Sequence, residues 1–592
     1  MRVPVITTNS MRVFMFLLAL SSLLTHSIAA SVYEAAFSVN HDHYLLRISS
    51  PSPSLGTFSL PTPPADAIEK LLPAYSCIAP TLVTQLTAGM NVTCSDGDVS
   101  VRFVSPPFEH ADEIAAVGDD AAQLMGHLEA LQKDGATPQR LEAVVKAEAD
   151  RLGIDHESVL GGIERVSEWP LSIWDYFDPR HLVAWELNYL REHWGPLPPF
   201  PTYNQSNGES GVYDIATGKQ VPLRAVREEG QPLDEEVRIA IASDWGAGTP
   251  ETQAIANQLE GGFEPHYTVH LGDIYLIGSK KEIREHALGV RPSWAKRGVK
   301  WTHGSLASFA LNANHEMYSR GYGYFDVLLP TLGPRDASTG HFGGQKASYF
   351  ALRSPQWWLI FLDTGYYSYN KDGATPGQES HDNHQPQAVV QWLKNIIRPD
   401  DTRGLVFFTH HQYRSAFEGG YYATPRQLID EGIVPANNRT VLWLWGHEHR
   451  LAAYAPGTQG GVPLMSYGRC VGNSGYPVLL ASMPARARES KLQVYDNRVY
   501  ATRDVKTVGY NGYARMYLNK DGTMKLQYFS VKLDPSTGQL DPQEGDLLME
   551  DTWTVDQRGN VVLKDMQIIN SDLTVVSHHG MDADEDPDLV LY

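Results

Sequence analysis

The sequence predicts a layered α/β domain, and three observations carry that prediction. Six short apolar runs recur: "VRIAIASD" (237–244), "YTVHLGD" (267–273), "SFALNANHE" (308–316), "WWLIFLDT" (357–364), "GLVFFTHH" (404–411) and "VLWLWGHEH" (441–449). Each is rich in β-branched or aromatic residues and reads as a buried strand. Candidate helices such as "PETQAIANQL" (250–259) and "PQAVVQWLKNII" (386–397) lie between them, and buried strands alternating with helices imply layers. Every run stops at polar residues, and in such sheets functional groups gather beyond the carboxyl ends of the strands.

The remaining segments follow in chain order. Residues 1–30 read as a secretory signal: Arg12, then the apolar core "FMFLLALSSLL" (14–24), then the small residues "SIAA" (27–30). That core is too short to span a bilayer comfortably, and no other segment is long and apolar enough, so no membrane span is expected after cleavage. Residues 31–235 form an accessory region without readable chemistry. It is Pro- and Ser-rich to about residue 110, helical in spacing over 111–165 and aromatic over 169–203. The α/β domain is expected over 236–535, ending in a hairpin around Lys520-Asp521-Gly522. Residues 536–592 are a C-terminal extension with the acidic tail "MDADEDPD" (581–588), usually just a solvated stretch.

Export makes other features interpretable, and the expected location is secreted or in the endomembrane lumen. Cys77 and Cys94 are close in sequence and could form a disulfide, worth roughly 3 kcal/mol in the chain-entropy model. Cys470 is left over and reads as a small buried hydrophobe. Asn91, Asn204 and Asn438 each begin a glycosylation sequon. The formal charge of −21 argues against a nucleic-acid partner, because its field repels phosphate backbones. A small phosphorylated substrate stays open, since bound metal ions invert the local sign.

The strand ends carry, in order, Asp244, Asp273, Asn314 with His315 and Glu316, His410 with His411, then His447 and His449. A lone Asp after a strand is usually a helix cap or turn former, and a lone His there is more often a hydrogen-bonded structural residue. Five strands ending in carboxylate, amide and imidazole are hard to explain that way, and those groups suit borderline divalent metals. "HDNH" (381–384) has similar residues but no strand before it. Arg469, in the Gly-rich stretch "RCVGNSGYPV" (469–478), is a candidate substrate contact or only part of a turn.

"DWG", "GDIY", "NHE", "THH" and "GHEH", in this order, resemble the calcineurin-like metallophosphoesterases, in the neighbourhood of the purple acid phosphatases. The resemblance covers about 236–535. It implies a four-layer α/β/β/α sandwich and a centre of two metal ions (iron, zinc or manganese). By position Asp244 and His449 would bind the first metal, Asn314, His410 and His447 the second, and Asp273 would bridge. His315 would contact the phosphate and protonate the leaving oxygen, with Glu316 orienting its imidazole, while His411 would line the pocket. The implied reaction is hydrolysis of phosphate mono- or diesters by attack of a metal-bound hydroxide.

Two positions depart from the family. The histidine that many members have two residues after the first aspartate is Gly246 here. The tyrosine that purple acid phosphatases have three residues after the bridging aspartate is replaced by Leu276, with Tyr275 one residue early. Either the first metal is short of a ligand or Tyr275 reaches it. These departures motivate the rival reading, a non-catalytic secreted glycoprotein with a degenerate metal site.

Overall fold

The computed structural model describes residues 172–174 and 176, most of 197–576 (omitting 229, 292–297, 369–382, 399, 436–438, 481–483, 504–505 and 534–538), and the backbone of four earlier strands. The leader at 1–30, Cys77 of the expected bridge to Cys94, the helical-looking 111–165, Asn438 and the acidic tail lie outside the described residues, as do the side chains of Asn91 and Cys94. The four early strands, Val32–Val39, Asp42–Ser49, Met90–Asp96 and Val99–Ser105, form one antiparallel sheet.

The remaining chain builds two large sheets. Their strands are β1 (Val212–Asp214), β2 (Val237–Ala242), β3 (Tyr267–His270), β4 (Ala307–Ala310), β5 (Gly333–Pro334), β6 (Phe350–Arg353), β7 (Trp357–Phe361), β8 (Gly404–Phe408) and β9 (Thr440–Trp445). They continue as β10 (Leu451–Gly457), β11 (Met465–Val471), β12 (Leu492–Tyr495), β13 (Gly512–Leu518), β14 (Met524–Leu533), β15 (Leu540–Val555), β16 (Val561–Ile568) and β17 (Thr574–Val575). One sheet runs β17-β12-β10-β11-β9-β8-β7-β6-β1 and the other β16-β15-β14-β13-β2-β3-β4-β5. All six apolar runs are strands, and β13 and β14 are the expected hairpin. The sheets also take β1 from upstream of residue 236 and β15, β16 and β17 from beyond 535, so the folded unit reaches past both ends of 236–535.

The four layers follow from strand periodicity, in which alternate side chains face opposite ways. Ile239 and Ile241 of β2, Leu359 and Phe361 of β7, and Leu442 and Leu444 of β9 fill one core between the sheets. Phe309, Phe350, Phe361 and Phe408 stack in a row through it, with successive ring centroids 4.2, 4.2 and 4.3 Å apart. The residues of opposite phase face helices. Ala240 and Ala242 meet Ile255 and Leu259 of α1 (Pro250–Glu260). Ile360, Phe407 and Trp443 meet Leu393 and Ile396 of a second long helix, Gln387–Ile396. With both faces covered, β9 has to be apolar throughout, which accounts for the run Val441–Trp445.

In this arrangement β2, β3 and β4 are parallel neighbours in one sheet, and β7, β8 and β9 are parallel neighbours in the other. Their carboxyl ends open at the same edge of the sandwich. Among the described residues, no helix is long and apolar enough to cross a membrane.

Candidate metal centre

Four of the strand-end residues share a backbone conformation that is costly without glycine. Asp244, Asp273, His447 and His449 have φ of 58°, 71°, 66° and 45°. Left-handed backbone at a non-glycine residue costs on the order of 1–3 kcal/mol and collects at functional sites. The described residues hold three other non-glycine cases, Glu264, Arg320 and Lys491, so the four converge on one place.

They converge across the gap between the sheets. Asp244 is fully buried; its Oδ2 accepts the His447 N–H at 2.9 Å, and its Oδ1 lies 3.4 Å from His449 Nε2. Asp273 is buried too; its Oδ1 accepts the His315 N–H at 3.2 Å, and its Oδ2 lies 3.3 Å from His410 Nε2. The Nδ1–H of His410 donates to the Leu271 carbonyl at 3.0 Å. That bond holds the ring so that Nε2 faces the centre, where it lies 3.3 Å from His447 Nδ1. Burial alone would raise the pKa of Asp273, but the imidazoles of His315 and His410 hold it well below the usual carboxylate range. Burial opposes a charge on His410, yet Asp273 lifts it to about 10.

Two groups could each hold a metal ion, Asp244 with Asp273 and His449, and His410 with His411 and His447, the ligand atoms of each lying within 4.8 Å of one another. The first matches the expected first-metal residues with the bridging Asp273. The second matches two of the expected second-metal residues and adds His411, which was assigned to the pocket lining. His411 is buried, and Thr364 Oγ1 lies 3.1 Å from its N–H and 3.0 Å from its Nδ1. Asn314 opens the single helical turn Asn314–Met317 and donates from Nδ2 to the Tyr318 hydroxyl at 3.3 Å.

Tyr275 reaches the first group. Its hydroxyl oxygen lies 2.9 Å from Asp244 Oδ1, 3.0 Å from Asp273 Oδ2 and 2.9 Å from His449 Nε2. Burial, and then the two carboxylates, push the phenol well above its ordinary pKa. A phenol has one proton, so it can donate to one carboxylate and not to both. No Lys or Arg pairs with Asp244 or Asp273 among the described ion pairs. A cation would give the two carboxylates and the phenol oxygen a common partner. The spacing also suits one, because neighbouring ligands around a cation with bonds of about 2.1 Å lie about 3 Å apart in octahedral geometry. The residues present therefore fit metal.

The loop that delivers Tyr275 is held at almost every backbone group. Tyr275 N–H donates to the Gly246 carbonyl at 2.9 Å, and the Tyr275 carbonyl lies 2.9 Å from His286 Nδ1. Glu282 accepts from Leu276 N at 2.6 Å and Ile277 N at 3.1 Å. Gly246 lies flush on this loop: a Cβ there would sit 2.6 Å from Ile274 Cγ1 and 2.8 Å from its Cα. The position where the resemblance leads one to expect a histidine has no room for a side chain here. Gly446 is equally confined, since its Cβ would fall 1.8 Å from Ser243 Oγ.

Two expected roles are corrected. Glu316 does not orient His315. Its carboxylate, pushed up to about 8 by burial and by Asp273, accepts from Asp273 N at 3.2 Å and Ile274 N at 2.8 Å. His315 is oriented instead by the Leu276 carbonyl, which accepts from Nδ1, and its Nε2 lies 3.9 Å from Asp273 Oδ2. Arg469 is not at the site. It is fully buried in β11, its Nε 2.7 Å from Asp551 Oδ2 on β15 of the opposite sheet. Asp551 Oδ2 also accepts from the Tyr528 hydroxyl at 2.8 Å.

Sequence reasoning missed several residues around the centre. Tyr476 packs on His449 with centroids 4.5 Å apart, Tyr421 on His411 at 4.5 Å and Tyr318 on His315 at 4.8 Å. Glu448 faces away from the centre; it accepts from Trp445 Nε1 at 2.8 Å and from Ser415 Oγ, and burial raises it to about 7. The only sequence signal for these was aromatic abundance or, for Glu448, its place between two histidines.

Of the sequons, Asn204 is exposed, and its side-chain oxygen caps the short turn Gln205–Asn207. Of "HDNH", Asn383 and His384 are described: Asn383 Oδ1 accepts from Thr424 N at 3.3 Å, and His384 stacks on Tyr367. No curated protein matches the chain. Residues 237–451, which include every candidate ligand, match the family model described as calcineurin-like phosphoesterase, and this part of the chain is a metallophosphoesterase domain.

Proposed function

We propose that the chain is a secreted, two-metal phosphoesterase acting on small phosphate mono- or diesters. The observation that carries the reading is Tyr275, whose oxygen stands among Asp244, Asp273 and His449 where one proton cannot satisfy its neighbours. The rival, a non-catalytic glycoprotein with a degenerate site, drew on Gly246 and Leu276. Tyr275 supports the enzyme because it offers an oxygen on the side those two positions leave short. It also supports a purple acid phosphatase-like neighbourhood.

Asp244, Asp273, His449 and Tyr275 would hold the first metal; Asn314, His410 and His447, with His411 beside them, would hold the second. Two bound cations would supply the charge that clamps a phosphate and lowers the pKa of a water. Asp273 serves both groups, one carboxylate oxygen reaching toward Tyr275 and His410 together. His315 keeps its Nδ1–H on Leu276, so a proton for the leaving oxygen travels on Nε2. The buried Tyr318 and Tyr421, beside His315 and His411, would limit water around the reacting groups. The leader-like residues 1–30 and the exposed sequon at Asn204 support export.

The test is metal analysis of the purified protein together with hydrolysis of an aryl phosphate. About two equivalents per chain are expected, and Asp273→Ala should remove both metal and activity. Activity that survives Asp273→Ala would overturn the reading.

A further inference from the structure

Among the described residues upstream of residue 237, Tyr176 packs beside the candidate centre. Tyr176 is 4% exposed, and its hydroxyl donates to the Ala247 carbonyl at 2.5 Å. Ala247 follows Gly246 in the turn after Asp244. The Tyr176 ring meets Tyr476 edge-on at 4.9 Å and Tyr275 at 6.4 Å. Tyr275 and Tyr476 lie against each other at 4.3 Å, and both contact His449. The side of the centre that holds Asp244 and His449 is therefore walled by three tyrosines, and Tyr176, behind the other two, comes from a region whose sequence had no readable chemistry.

We propose that Tyr176 is a specificity-determining residue: its ring props Tyr476 against His449 and so limits the size of the ester group that can extend past the first-metal side. The proposal rests on the phosphoesterase reading and adds a selection between substrates. A monoester presents one organic group, which can leave on the side of His315. A diester presents two, and the second must find room elsewhere around the phosphate. Tyr476 is only partly buried, and its ring rests against Tyr275, His449 and Tyr176, so Tyr176 closes one of the directions in which it could move. Removing that ring leaves space into which Tyr476 can retreat. A larger ring pushes it further over His449.

Two substitutions of opposite sense test this on the full chain. Tyr176→Ala should raise the ratio of kcat/KM for a bis-aryl phosphate over that for the matching aryl monoester by roughly tenfold, mostly through KM of the diester. Tyr176→Trp should lower the same ratio. Ratios that stay within about twofold of the unsubstituted protein in both variants would overturn the proposal, and either variant suffices if the other does not fold. A second measurement needs neither turnover nor metal. Nitration of Tyr476 by tetranitromethane, read by peptide mass, should rise in Tyr176→Ala and fall in Tyr176→Trp; unchanged nitration also overturns it. If the unsubstituted protein hydrolyses neither ester, the phosphoesterase reading fails, and the nitration result still decides whether Tyr176 props Tyr476.

Discussion

Gly246 lies directly on the backbone of Ile274, and the next residue of that loop, Tyr275, is the one whose oxygen stands among the candidate ligands Asp244, Asp273 and His449. The two facts are linked. A side chain at 246 would have to displace the loop, since its Cβ would fall 2.8 Å from Ile274 Cα. Gly246→His, which installs the histidine common in similar domains, should therefore lose more than it adds. We expect a stability loss of about 1–3 kcal/mol from overpacking, seen as a lower Tm, and a metal content below that of the unsubstituted protein. Metal content that rose would mean the loop can move aside.

Tyr275→Phe separates the oxygen from the ring. The ring contacts with His315 at 4.5 Å and with Tyr476 remain available to phenylalanine, so the fold should persist. What is lost is the oxygen between Asp244 and Asp273. Affinity for one of the two metal equivalents should fall by roughly tenfold or more, the scale seen when a metal site loses a supporting group. Titration with zinc or manganese under a competing chelator measures this directly.

How far the sequence reaches depends on whether a signal is local. Strands were legible because a strand buried on both faces must be apolar along its whole length, as Val441–Trp445 is. The candidate ligands stood out because, although one strand-end carboxylate or imidazole has ordinary structural uses, five such strand ends in one chain are hard to explain that way. Tyr275 stayed ambiguous because its reach depends on a contact between Gly246 and Ile274 that belongs to two different strand ends. Arg469 was misread because its counter-ion, Asp551, is 82 positions away in sequence on the opposite sheet. Glu316 was misread because its partners are backbone N–H groups about 40 residues upstream, which carry no residue signature. β15 and β16 were missed because their burial is partial and their acidic residues resemble a solvated extension.

Glu316→Gln tests the corrected role of that carboxylate. Either oxygen of a carboxyl group can accept, so Glu316 serves Asp273 N and Ile274 N together, one oxygen for each. Glutamine has one carbonyl oxygen and would set its NH2 against the other N–H. The expected cost is about 1–3 kcal/mol for a buried donor left unsatisfied, read as a lower denaturation midpoint. Because Asp273 rides on this clamp, metal affinity should fall as well. If Glu316 instead oriented His315, the glutamine variant would keep its stability and lose activity at full metal content.

Arg469→Ala should behave as a stability variant and not as a substrate-binding one. The guanidinium ties β11 of one sheet to Asp551 on β15 of the other, and both side chains are fully buried. Removing the arginine strands a carboxylate in the core, which typically costs about 3–5 kcal/mol. Replacing both partners, Arg469→Met with Asp551→Leu, removes the stranded charge and should recover much of that loss. Denaturation midpoints of the single and double variants give the comparison. KM for an aryl phosphate, measured on the folded fraction, should match the unsubstituted protein in each. A raised KM in the stable double variant would return Arg469 to the substrate site.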